Sequence, residues 1–167
     1  MTRREAIKRT SLLVGGGLSA AVVTGVMSGC QATGAPDWQP QVLQPEQAML
    51  LESVTDIILP ATDTPGAKEL HVAEFIDLML KDCYNKTDQE KFKSGLDDLA
   101  KAGTVAFNKP FGKCTAEQQL ELVNTLDRNT FGAEVTDNQE QARFYRTLKS
   151  LTLLGYFTAE PVMTQQL

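Results

Sequence analysis

One histidine, three cysteines and a scatter of carboxylates are the residues here that could do chemistry. His71 is the sole imidazole, and a metal site built on it would need cysteine or carboxylate ligands at ligand spacing, which the surrounding sequence lacks. A Ser/His/Asp or Cys/His nucleophile would depend on the same imidazole. Ser53, Ser94 and Ser150 all fall within helical patterns rather than on an exposed elbow. No Cys-x-x-Cys-His run is present to attach haem. The one glycine cluster, Gly15-Gly16-Gly17, is not framed by the strand and helix that a dinucleotide fold requires. Asp77 with Asp82, and Asp97-Asp98, read as solvated charges on polar helix faces. These observations predict a chain that does not catalyse by itself, and an enzyme built on Asp63 and His71 is the weakest reading.

The carboxylate with the most suggestive setting is Asp63, within Pro60-Ala61-Thr62-Asp63-Thr64-Pro65-Gly66-Ala67. Asp between threonines and before Pro-Gly forms turns through side-chain-to-backbone hydrogen bonds. The alternative is that a rigid loop of this kind presents Asp63, Pro65 and Gly66 to a partner. Cys83 and Cys114 allow three readings: an internal bridge, two reduced thiols, or a bond to another subunit. A bridge between them would stabilise the fold by roughly 3–4 kcal/mol in the chain-entropy picture.

The third cysteine belongs to a different argument. Thr2-Arg3-Arg4-Glu5-Ala6-Ile7-Lys8 reads as a twin-arginine export signal, with Arg3, Arg4 and Lys8 as its marks. The uncharged stretch that follows ends in Met27-Ser28-Gly29-Cys30, which reads as a lipidation site at Cys30, with ordinary cleavage nearby as the alternative. Ser11 to Met27 approaches the roughly 17 residues of a membrane span, but its glycines, serines and threonines make it a poor helix former. The expectation is therefore residues 1–29 as leader, 30–44 as a Pro-punctuated linker and 45–167 as the domain, exported folded and held at a membrane facing the periplasm. The whole chain carries −5 and residues 1–29 carry +3, leaving −8 on the remainder. An acidic domain without a basic face disfavours nucleic acid.

The elements that would position these residues are helical. Leu50, Leu51, Val54, Ile57 and Ile58 form one stripe behind Pro45 and stop at Pro60. Val72, Phe75, Ile76, Met79, Leu80 and Cys83 keep the helical period. Thr87 with Glu90 predicts a capping box for a helix carrying Phe92, Leu96, Leu99 and Phe107. Thr115 with Gln118 predicts another, for a helix carrying Leu120, Val123 and Leu126. A last helix is expected from about Gln139 to Gly155, with Phe144, Tyr145, Leu148 and Leu151 inward. No segment alternates with period two, so the fold class is all-α, an irregular bundle of about five helices. Trp38 in the linker could rest on the domain or at a lipid interface.

Three segments carry a family resemblance. Ile57-Ile58-Leu59-Pro60-Ala61-Thr62-Asp63-Thr64-Pro65-Gly66-Ala67, its continuation Val72–Leu80, and Leu151-Thr152-Leu153-Leu154-Gly155-Tyr156-Phe157-Thr158-Ala159-Glu160 resemble elements of the gluconate 2-dehydrogenase subunit 3 family. The resemblance implies a small non-catalytic subunit of a membrane-associated dehydrogenase. It implies FAD on a large flavoprotein partner of the glucose–methanol–choline type and haem c on a cytochrome partner, with no cofactor on this chain. It also implies that the small subunit carries the export signal for the flavoprotein. As aromatics at a helix end, Tyr156 and Phe157 suit either an interface core or the core of the chain itself. A stand-alone helical lipoprotein is the alternative. Past Glu160 the family usually continues with a Tyr- and Gly-rich tail holding another cysteine, whereas this sequence reads Pro161-Val162-Met163-Thr164-Gln165-Gln166-Leu167. Either that tail is absent or the sequence is truncated.

Overall fold

In the computed structural model, which describes residues 36–132 and 138–165, hydrophobic stripes of helical period become six α-helices and one 3-10 turn. These are α1 (Pro45–Ile58), α2 (Val72–Cys83), α3 (Lys86–Phe107), the 3-10 turn (Phe111–Lys113), α4 (Ala116–Phe131), α5 (Gln139–Thr158) and α6 (Glu160–Gln165). There is no strand among the described residues, and the all-α irregular bundle is as expected. The helix beyond the expected five is α6, a single short segment after the break at Ala159. The leader positions Arg3, Arg4 and Lys8 and the lipidation position Cys30 lie outside the described residues.

The bundle is organised around α1 and α5. Each packs against α2, α3 and α4 as well as against the other. Leu51 and Val54 of α1 and Tyr145 and Leu148 of α5 are almost wholly excluded from water. Phe144 meets Phe92 of α3 edge-to-face at 5.2 Å between centroids, the arrangement favoured by aromatic quadrupoles. Each fully buried side-chain nitrogen or oxygen among the described residues has a hydrogen-bond partner. Gln89 is one such group. Its amide donates to the carbonyls of Leu80 (2.9 Å) and Tyr84 (3.0 Å), satisfying acceptors that the end of α2 leaves open.

Several helix starts follow local rules, with one displacement. Pro45 occupies the first turn of α1, where its missing N–H costs nothing. Thr115 and Gln118 form the reciprocal box at α4. At α3, however, the cap is Asn85, whose side chain accepts from the Asp88 N–H at 3.0 Å, not Thr87. Asn85 satisfies the same need two residues earlier, and the helix gains those residues. Leu120 also departs from expectation: it is exposed, while Val123, Leu126 and Thr130 carry the inward face of α4.

The segment expected as an extended linker is bent at residues 37–38 and 41–43 and is laid on the bundle from Trp38 onward. Trp38 and Val42 lean on the core, and Leu43 is buried within it. Here the structure corrects the reading of Asp77, which is only 1 % exposed rather than on a solvated face. The buried side of α2 is centred on Ala73, Ile76 and Asp77, because this strap covers a flank that periodicity alone leaves to water. Cys83, the last residue of α2, falls outside the stripe and is exposed.

Candidate functional site: the loop joined to the last long helix

Residues 57–67 and 151–160, far apart in sequence, meet in space. The loop after α1 closes on itself through the Ala67 N–H, which donates to the Leu59 carbonyl at 2.8 Å. Inside it the Thr62 N–H donates to Thr64 O at 3.0 Å. The Gly66 N–H donates to Glu69 Oε2 at 3.2 Å. A side chain at position 66 would place its Cβ 2.6 Å from the Ala61 nitrogen, closer than atoms approach, so only glycine lets the two ends of the loop come together.

Tyr156 of α5 fastens this loop to the bundle. Its hydroxyl donates to the Pro65 carbonyl at 3.1 Å and lies 3.2 Å from Thr64 Oγ1. One turn of helix is cleared for the same joint by Gly155, where a Cβ would stand 2.6 Å from Phe75 Cδ1 of α2. Three segments thus share one corner: the loop, α2 through Phe75, and α5 through Gly155 and Tyr156.

This geometry separates the five residues nominated as a partner surface. Gly66 and Tyr156 are buried and Pro65 is half-buried, so they build the corner. Asp63 and Phe157 are the ones that face outward. Asp63 makes no hydrogen bond or ion pair among the described residues, and the turn is tied by Thr62 and Thr64 instead. Phe157 is 56 % exposed and stands edge-on to Tyr156 at 5.3 Å. Beside it on α5, Leu153 and Leu154 are also exposed, and Met163 follows on α6. Leu153, Leu154 and Phe157 thus turn large apolar side chains outward on one side of α5. Sequence periodicity could have found it: Leu153, Leu154 and Phe157 lie off the inward stripe.

The other candidate groups are dispersed. His71 occupies the N-cap position of α2 in a left-handed conformation (φ 52°), with Nδ1 3.9 Å from Glu74 Oε2. Cys83 and Cys114 are both free thiols, so the internal bridge between them is not formed in this structure. Cys114 is buried, its sulfur 3.5 Å from Lys109 O and 3.6 Å from Pro110 O. Among the described residues no group of three or more His, Cys, Asp or Glu is placed to hold a metal ion. No described helix is long and apolar enough to cross a membrane. Between α3 and α5 lies a groove of about 530 Å³. Lys91, Arg143 and Arg146 balance Asp88, Asp98 and Glu140 along it, so it selects for neither sign of charge.

Two titrating groups are displaced from ordinary values. Burial, then the neighbouring Asp127 carboxylate, pushes Tyr145 well above the usual tyrosine range. At the start of α4 a backbone hydrogen bond, helped by the Thr115 hydroxyl, lowers Glu117. Neither change prepares a nucleophile or a proton donor for neutral pH.

The corner is assembled from the three segments that carried the family resemblance, and a wider comparison extends it across the bundle. The family model for gluconate 2-dehydrogenase subunit 3 matches residues 45–167. The chain belongs to that family. No match to it was found among curated proteins or among solved structures. The subunit 3 match begins at Pro45, the first residue of α1. The strap that precedes α1 therefore lies outside the part the family model describes.

Proposed function

We propose that this subunit 3 protein is the non-catalytic small subunit and export escort of an FAD-dependent dehydrogenase acting on a sugar, sugar acid or polyol in the periplasm. The observation that carries the reading is the family match over the whole helical domain. The large flavoprotein docks on the outward row Leu153, Leu154 and Phe157, with the Asp63 loop at its border. A c-type cytochrome subunit receives the electrons, and the FAD and haem c belong to those partners.

Physical chemistry supports the escort role. A flavoprotein must fold around its cofactor before export, and twin-arginine signals serve folded cargo. A leader marked by Arg3, Arg4 and Lys8 on the small subunit would then serve both chains. Lipid on Cys30 would hold the complex at the membrane surface. Two chains crossing on one leader must stay associated, which calls for a substantial apolar contact. The exposed row on α5 suits that need.

The test is fractionation of cells expressing both subunits. Active flavoenzyme should appear in the periplasm with the intact small subunit and remain in the cytoplasm when Arg3 and Arg4 are replaced by Lys. Phe157→Asp should abolish co-purification of the two chains. Export of active flavoenzyme in cells lacking this chain would refute the escort role.

A further inference from the structure

Residues 38–44 are fastened to the bundle by one carboxylate. Three consecutive backbone N–H groups converge on Asp77: Gln41 at 2.6 Å to Oδ2, Val42 at 3.1 Å and Leu43 at 2.9 Å to Oδ1. Asp77 is the one charged side chain in the buried class among the described residues. It has no ion-pair partner there, so the strap amides are what compensates its removal from water. One turn further along α2, Lys81 Nζ donates to Gln41 Oε1 at 3.2 Å. Trp38, Val42 and Leu43 add apolar contact with the core.

The clasp depends on the fold. Asp77 lies among Ala73, Ile76 and Leu80, which α2 buries in the bundle. The acceptor is therefore in place only when α2 has packed. Conversely, a bundle without its strap leaves a carboxylate facing an apolar wall, which must open to water. Strap closure and packing of α2 stabilise one another. When the strap is released its seven residues, 38–44, lengthen the tether by up to about 25 Å, and Trp38, Val42 and Leu43 are uncovered close to the leader.

We infer that the Asp77 clasp is a folding latch on the export tether. It holds residues 38–44 of the tether against a correctly packed bundle, and it exposes them as an apolar, lengthened segment when α2 is not packed. An export machine restricted to folded cargo thereby meets a different chain in the two states. This rests on the export reading above, and the experiment separates the two.

The full chain is followed by amide hydrogen exchange and, in cells co-expressing the large subunit, by the fraction exported. Two variants are used: Asp77→Ala, which removes the acceptor, and Gln41→Pro, which removes one strap N–H donor together with the Gln41 Oε1 that accepts from Lys81 and leaves every bundle residue unaltered. In the unmodified chain the amides of residues 41–43 should be protected. Both variants should speed exchange at Val42 and Leu43 at least tenfold, and Asp77→Ala at Gln41 as well, with Leu148 and Leu151 in α5 unchanged, and both should lower the exported fraction severalfold. Should Asp77→Ala also loosen α5, Gln41→Pro alone decides. Unprotected strap amides in the unmodified chain, or protection untouched by Gln41→Pro, would show that no clasp exists. An opened strap with undiminished export would show that the clasp is no latch. Undiminished export of the Arg3→Lys, Arg4→Lys chain would sink the export reading and the latch with it, while the exchange result at residues 41–43 would still report the clasp.

Discussion

The joint between Tyr156 and the loop after α1 makes a quantitative prediction. Tyr156→Phe keeps the ring, its packing against Phe157 and the helix, and removes one oxygen. That oxygen donates to the Pro65 carbonyl at 3.1 Å and faces Thr64 Oγ1 at 3.2 Å. A hydrogen bond of this kind contributes about 0.5–1.5 kcal/mol net, and a half-buried acceptor left without a donor adds to the loss. The expected cost is about 1–2 kcal/mol, well short of the roughly 3–5 kcal/mol of deleting a buried aromatic ring. In urea, with a slope of about 1.5 kcal/mol/M for a domain of this size, the midpoint should fall by about 1 M with the slope unchanged. Thr64→Ala in the Tyr156→Phe background should cost less than in the unmodified protein, leaving a coupling energy of about 0.5–1 kcal/mol. The Ala67 amide, which closes the loop on Leu59, should exchange faster in both variants. A midpoint moved by less than about 0.2 M, or a coupling energy of zero, would show that the loop is held by its own turns and not by α5.

Two further outcomes are accessible with the same protein. Because the folded chain keeps the Tyr145 proton after the unfolded chain has released its own, the unfolded state binds fewer protons as pH rises above about 10, and stability falls there by up to ~1.4 kcal/mol per pH unit; Tyr145→Phe should flatten that alkaline limb in urea titrations, and an unchanged slope would contradict the assignment. At the start of α3, Asn85→Ala should cost about 1 kcal/mol through loss of the cap, while Thr87→Ala should stay within about 0.5 kcal/mol; the reverse order would return the cap to Thr87.

Which features were legible in the sequence follows from how local their causes are. The Pro60–Ala67 loop, the Pro45 start, the Thr115–Gln118 box and the inward residues of α5 each depend on neighbours within a turn or two, and all are found where local rules place them. Asn85 and Thr87 both offer a capping oxygen with an acidic residue three positions on, so pattern alone could not rank them. Asp77 was misread for a non-local reason. A carboxylate beside an apolar stripe looks the same whether water or a strap lies over it, and the strap comes from 34–36 residues away. Leu120 shows the same limit from the other side: α4 turns Val123, Leu126 and Thr130 inward, and nothing within the helix signals that its first leucine is left out. In the candidate surface, Tyr156 and Phe157 were inseparable as neighbours in sequence. The hydroxyl of Tyr156 needed the loop as a partner before its inward role could be known.

Those two adjacent rings also couple solution behaviour to company. Phe157 leans edge-on against Tyr156, and Tyr156 holds the loop, so whatever covers the outer ring presses on the fastening beneath it. Any companion that prefers this arrangement raises the heat resistance of the small chain in proportion to the logarithm of its own concentration. Melting curves recorded at graded amounts of a companion would therefore serve as a binding isotherm, with no label and no catalytic assay.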